Sequence, residues 1–166
     1  MPRCDRRRLW TVLYLVFAQL SACTLTETLP TGNIIAPFSD ASSLLDGICF
    51  EAALALSGQV FVLYEQEQLD LLYDEIDSKG LCTRHIPRQN FDFSGGRAIA
   101  GTWTYSPVGC RASHELRELW RDETTKTLTL RFRFQVEGEC PYELIRPLWI
   151  VVESVGDYVL ILDIQR

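Results

Sequence analysis

The chain has 166 residues, 16 Lys and Arg against 22 Asp and Glu, a net charge of −6 and a hydrophobic content of 47%. This length suits one domain with a substantial core. The acidic balance gives no electrostatic footprint for nucleic acid and disfavours adhesion to anionic lipid by charge.

The first thirty residues read as an export signal. Arg3, Arg6, Arg7 and Arg8 form a basic cluster, Leu9 to Leu20 an apolar run broken only by Thr11 and Gln19, and Ser21 and Ala22 lead to Cys23. A basic start, a short apolar stretch and small residues describe a secretory signal peptide. A bilayer-spanning helix needs about twenty apolar residues, more than this run supplies. Leu20-Ser21-Ala22-Cys23 closely resembles the lipobox of bacterial lipoproteins. That resemblance implies cleavage after residue 22, a diacylglycerol on Cys23 and usually an acylated new amino group. Two or three acyl chains hold a protein stably, whereas one does so only marginally. Thr24 stands where, in lipoproteins of two-membrane bacteria, Asp favours inner-membrane retention. Its presence leans toward the periplasmic side of the outer membrane or the cell surface.

Removing residues 1–22 takes away four arginines and Asp5, so 16 and 22 become 12 and 21, a net charge of −9. Anchoring is then expected from the lipid rather than from charge. Residues 23–40, with Pro30, Pro37 and a Thr-Gly-Asn turn, read as a flexible tether. Residues 41–166 are expected to form a single domain.

Within that domain, Ser43–Leu56 carries Ala and Leu at helical density and reads as a short helix ended by Gly58. Gln59–Tyr64 is rich in β-formers and reads as a strand. Leu69, Leu72, Tyr73 and Ile76 recur at helical spacing, so Glu65–Ser78 reads as a helix with acids at its N-terminus and Lys79-Gly80 at its end. Its acids Asp70, Asp74, Glu75 and Asp77 lack the glycine-centred calcium-loop pattern and read as a solvated face. Cys82-Thr-Arg-His85 offers half of a zinc site, but no second half of matching spacing follows. Gly95-Gly96 reads as a bend before the strand Arg97–Tyr105 rather than as an anion cradle. That strand places Ile99, Gly101, Trp103 and Tyr105 on one face. Ala98, Ala100, Thr102 and Thr104 lie on the other, small enough for a close-packed second layer.

Leu128, Leu130, Phe132, Phe134 and Val136 alternate with polar residues, as in a half-buried strand. Folding Ala112–Arg121 onto it about Thr124 sets Leu116 opposite Phe132, Trp120 opposite Leu128 and Glu115 opposite Arg133. Glu118 then faces inward and Arg117 meets Arg131, two features that oppose this register. It also puts Cys110 opposite residue 138. A bulge or slip at Gly138 would bring Cys110 to Cys140, leaving Cys49 to Cys82. An even number of cysteines in an exported chain reads as two disulfides. The last strands, Leu148–Val155 and Tyr158–Ile164, flank Gly156-Asp157 and read as a tight hairpin with the chain ending inside the sheet. Together these elements define an α+β fold, a mostly antiparallel β-sheet or small sandwich with two N-terminal helices.

Phe91–Arg166 resembles the C-terminal domain of PrcB-like proteins, small exported bacterial lipoproteins named for a protease-complex subunit. The resemblance rests on a helix after a strand, then the Asp92-Phe93-Ser94 entry, a strand, a Gly-containing segment and a closing pair of strands. The family's Thr-Gly-Gly-Tyr pattern is replaced by Pro107-Val108-Gly109-Cys110. The resemblance implies a compact β-rich domain in an interaction role, with no catalytic residues carried over.

No Walker loop, G-x-S-x-G or H-E-x-x-H pattern occurs. Ser113 and His114 are adjacent and so face opposite ways on a strand. A non-catalytic, lipid-anchored protein-binding or assembly module of the bacterial envelope is therefore expected, without cofactor. The membrane and an envelope protein are its expected partners. A small-ligand carrier is the alternative, a hydrolase the weaker one. Trp103, Tyr105, Tyr142 and Arg146 are candidate contact residues, because aromatic and arginine side chains dominate interface hot spots.

Overall fold

The computed structural model describes residues 38–166. The expected signal peptide, Cys23 and residues 24–37 of the expected tether lie outside the described residues. The last three tether residues do not extend as a linker. Phe38–Asp40 is strand β1, paired with the strand that ends at Val152. The ordered domain therefore starts before residue 41.

The elements follow in chain order. After β1 come a 3-10 turn at Ser42–Leu45, helix α1 (Phe50–Ala55), strand β2 (Val60–Leu63) and helix α2 (Gln66–Ser78). Five longer strands close the fold: β3 (Ala98–Ser106), β4 (Arg111–Asp122), β5 (Thr127–Glu137), β6 (Leu144–Val152) and β7 (Val159–Gln165). The fold is a β-rich α+β arrangement. Four strands form one sheet in the order β1-β6-β3-β2, and three form a second in the order β4-β5-β7.

The helix expected over Ser43–Leu56 is split. Gly47 adopts a positive φ of 93°, which interrupts any helix between Leu45 and Phe50. The α2 helix does follow its periodicity: Leu69, Leu72, Tyr73 and Ile76 are its buried residues. They share one core with Leu44, Leu45, Ala52 and Leu56, and with Ile99, Trp103, Trp149 and Val151 of the four-stranded sheet. The Tyr73 hydroxyl donates to the Leu44 carbonyl at 2.6 Å, so the buried phenol has a partner.

The other face of the four-stranded sheet packs on the second sheet. Ala98 and Ala100 meet Leu128, Leu130, Phe132, Leu160 and Leu162 there, with Ile150 and Val152 from β6. The small residues of β3 thus do face a second layer. Every residue of β3 except Tyr105 is buried, because the strand is covered on both faces. Gly101 is required at its position, since a methyl group there would overlap the Trp149 indole.

Two findings correct the strand reading. First, β6 and β7 do not form a hairpin. The β6 strand pairs with β1 and β3, while β7 crosses to the other sheet and pairs in parallel with β5, Leu128 against Leu160 and Leu130 against Leu162. Ser154 (φ 55°) and Gly156 (φ 62°) reverse the chain between them. The Val155 amide donates to the Gly96 carbonyl at 2.7 Å, holding this corner against the Gly95-Gly96 bend. The C-terminal strand is consequently an edge strand. Second, the β4–β5 register is not uniform. Glu115 meets Arg133 and Leu116 meets Phe132 as expected, but Arg117 is bulged out and Glu118 meets Arg131.

Both disulfides are present. Cys49–Cys82 ties the start of α1 to the loop after α2, with Cα atoms 5.6 Å apart, and Cys110–Cys140 closes the open end of the β4–β5 hairpin, at 4.8 Å. Gly138, at φ 75°, makes the turn that brings Cys140 back, and the Cys110 amide donates to Glu137 at 2.8 Å. The bridges span 33 and 30 residues, loops whose closure stabilises by about 3–4 kcal/mol each on the chain-entropy account. A disulfide sulfur is not a thiolate ligand, so Cys82 with His85 makes no zinc half-site.

Candidate functional site

The four residues singled out in the sequence do not share a surface. Trp103 is only 3% exposed, edge-on to Phe61 at 5.9 Å and 5.0 Å from Trp149. It is a core residue, because its face of β3 is the one the helices cover. Tyr105 lies on the same face, half-buried and opposite Ile145. Tyr142 is 61% exposed in the loop between β5 and β6. Arg146 pairs with Thr104 and therefore belongs to the opposite, inter-sheet face.

The surface that the structure does assemble is the outer face of the three-stranded sheet. The buried residues of β5 point inward: Leu128, Leu130, Phe132 and Phe134. Their alternates, Thr127, Thr129, Arg131 and Arg133, point outward, and the partners in register on β4 and β7 point with them. Three neighbouring rows result: Glu118–Arg131–Asp163, Trp120–Thr129–Ile161 and Asp122–Thr127–Val159. Trp120 is 58% exposed, Val159 58% and Ile161 41%. Both helices pack on the far side of the other sheet, so among the described residues no element covers this face.

The Arg117 bulge places Trp120 there. Without it Trp120 would lie opposite Leu128 and point into the core. One extra residue in β4 inverts the facing of every residue after it. Leu119 therefore turns inward against Leu130, and Trp120 outward against Thr129. The bulge also resolves the two features that opposed a regular register, since Arg131 now meets Glu118 instead of Arg117. Its guanidinium contacts Glu118 at 2.6 Å and Asp163 at 2.7 Å. This carboxylate–guanidinium–carboxylate row borders the apolar patch on one side.

A second charged group borders the other side, at the hairpin turn. The Asp122 carboxylate accepts from the Thr124 amide at 2.7 Å and the Thr125 amide at 3.1 Å. These amide bonds hold its pKa below the usual carboxylate range. On the opposite face of the hairpin end Arg121, in register with Leu128, stacks 3.8 Å from the centre of the Tyr158 ring and pairs with Glu123 at 3.3 Å, while the Tyr158 hydroxyl donates to Glu123. The exposed patch thus sits between two organised polar borders.

Groups with catalytic potential are engaged structurally. Asp77 accepts from the Ile86 amide at 3.2 Å through Oδ1, and its Oδ2 faces Arg88 at 3.0 Å and His85 at 3.2 Å. Those ion-pair contacts stand in for an aligned hydrogen bond to Oδ2. Burial is the largest influence on this carboxyl and pushes its pKa up. The amide, His85 and Arg88 together outweigh burial and bring it below the usual range. The cluster joins the end of α2 to the following loop. His114 is inside the sandwich, 3.0 Å from the Thr104 hydroxyl and 5.1 Å from the Phe134 ring. Burial lowers its pKa to about 4, which keeps the imidazole neutral at physiological pH. Ser113, its sequence neighbour, faces the other way on β4. Among the described residues no group of three or more His, Cys, Asp or Glu is placed to hold a metal ion, and no helix is long and apolar enough to cross a membrane.

The chain matches no family model, no curated protein and no solved structure. The fold and the exposed face therefore define its class by architecture alone: a disulfide-stabilised two-sheet domain with helices on one side and a bare sheet face on the other.

Proposed function

We propose that this protein is a non-catalytic binding module of the bacterial envelope. It is held to a membrane by lipid on Cys23 and engages a protein partner through the outer face of its three-stranded sheet. The observation that carries the reading is Trp120, a large aromatic side chain exposed on an uncovered sheet face that also exposes Ile161, across Thr129, and Val159 in the next row. An apolar cluster ringed by polar and charged residues is the usual anatomy of an interface core and rim. The flanking Glu118–Arg131–Asp163 row gives the patch a border that selects a partner by charge. The lipobox at Leu20–Cys23 supports the anchoring, and the PrcB-like resemblance of Phe91–Arg166 agrees with an interaction role.

The test is in-cell photo-crosslinking from position 129, at the centre of the patch, with mass spectrometry of the captured protein. One envelope protein is expected repeatedly, and Trp120→Ala is expected to weaken its binding by about 2 kcal/mol or more, roughly 30-fold in Kd. Binding unchanged by Trp120→Ala and by Ile161→Asp would remove this face from the interaction. Labelled palmitate that still enters the Cys23→Ala variant would remove the anchor.

A further inference from the structure

The space between the sheets changes character along the strands. At one end it is filled by Ala98, Ala100, Leu130, Ile150 and Val152. On the same face β3 continues as Thr102, Thr104 and Ser106, and β6 runs through Leu148 to Arg146, opposite Thr104. From the facing sheet His114 reaches the Thr104 hydroxyl at 3.0 Å. Beside this polar end lies a cleft of about 390 Å3 lined by Arg111, Ala112, Ser113, Glu137 and Arg146, with Arg111 and Ser113 on the side of β4 opposite to His114. A cavity of this size falls within the range of small-ligand sites.

Two arginines, one from each sheet, share this cleft without a partner. Arg88, Arg97, Arg117, Arg121 and Arg131 all make ion pairs with carboxylates. Although the chain carries 22 acids against 16 bases, Arg111 and Arg146, like Arg84, Arg133 and Arg166, make none with any described residue, but these two line one cleft. Arg111 even stands opposite Glu137 in the β4–β5 ladder without closing to within 4.0 Å of its carboxylate. Two guanidinium groups and the Glu137 carboxylate give the lining a net charge of +1. That balances one carboxylate, and the planar guanidinium fork matches carboxylate geometry bidentately. A phosphate dianion carries more charge than the lining neutralises and faces Glu137 as well.

We propose that this cleft binds a small organic molecule through its carboxylate, held by Arg111 and Arg146, with the Ser113 hydroxyl as a further donor and Glu137 accepting from a donor group elsewhere on the ligand. The site is separate from the Trp120 face and does not depend on it.

The experiment is a titration of the isotope-labelled full chain in detergent with benzoate and, separately, with inorganic phosphate, followed through the backbone amide signals. Benzoate is expected to move Arg111, Ser113 and Arg146 saturably. Arg111→Gln and Arg146→Gln should each weaken it about tenfold or more, Arg146→Lys should weaken it less, and Arg84→Gln should leave it unchanged. All three arginines are exposed, so the amide spectra of the variants report directly that the fold is kept. The proposal is overturned if benzoate gives no saturable shift or if neither glutamine variant weakens it. Phosphate binding more tightly than benzoate would overturn the carboxylate assignment.

Discussion

At the scale of single residues, the two histidines occupy opposite environments. His85 is solvent-facing beside Asp77, whereas His114 is enclosed between the sheets and hydrogen-bonded to Thr104. Burial lowers the His114 pKa from 6.5 to about 4. Between those values the unfolded chain binds a proton that the folded one does not, so stability rises with pH across that window. The contribution is fully present above about pH 6.5 and is lost progressively as the pH falls toward about 4. Urea unfolding at about pH 7 and about pH 4.5 should show a larger loss for the native protein than for His114→Gln, whose amide keeps a polar partner for Thr104 without titrating. Equal losses would mean that His114 is solvated. Gly101 shows the same dependence on surroundings. Nothing in its sequence neighbourhood marks it as irreplaceable, and the indole that excludes a methyl group comes from Trp149 on the adjacent strand.

At the scale of elements, the decisive feature is the bulge in β4. The alternation of β5 is readable directly, because one face is buried and the other is wet. That of β4 is broken at Arg117, so no single period fits Leu116, Leu119 and Trp120. Opposing charges hint at the bulge: a regular hairpin sets Arg117 against Arg131, whereas the observed one sets Glu118 there. Deleting Arg117 is expected to leave the hairpin in the same register, with Glu118 still opposite Arg131, at a small cost in stability. Deleting Leu119 should instead turn Trp120 inward and Leu116 and Trp120 into incompatible partners for the core, with a loss of several-fold more. Denaturant midpoints of the two deletions compare them. A similar midpoint for both would show that β4 is held by something other than its register. The first expected helix failed for a similarly local reason, since Gly47 at positive φ ends the 3-10 turn before α1 begins.

At the scale of the whole molecule, three layers are stacked: helices, a four-stranded sheet covered on both sides, and a three-stranded sheet bare on its outer side. The arrangement depends on β7 crossing between sheets. Leu160 and Leu162 of this strand are buried in the inter-sheet core. Their burial contributes about 3–6 kcal/mol together, a large share of the ~5–15 kcal/mol that keeps a domain folded. A chain ending at Asp157 is therefore expected to lose cooperative unfolding, monitored by near-ultraviolet circular dichroism. Retention of a sharp transition would place the core's stability in the four-stranded sheet and helices alone. The layering explains why Trp103, read as a contact residue, is core, whereas the bulge in β4 explains why Trp120, set opposite Leu128 by a regular register, is surface.

What the sequence by itself determined is local and periodic: the helix over Gln66–Ser78, the two-layer use of β3, the Glu115–Arg133 pairing and, through Cys110 lying near the end of its hairpin, both disulfides. The helix and the two faces of β3 follow from spacing along one element, and the cross-strand pair and the disulfides from the short connection that folds β4 onto β5, with Cys49 and Cys82 left for each other. The tertiary structure alone decided which sheet each strand joins, where the bulge falls and which aromatic residue reaches solvent. Those outcomes depend on non-local contacts. The corner from Glu153 to Tyr158 was short enough for a hairpin, but Val155 and Gly156 pack against Gly96, and the hydrophobic face of β7 finds its partner on β5, about thirty residues earlier in the chain.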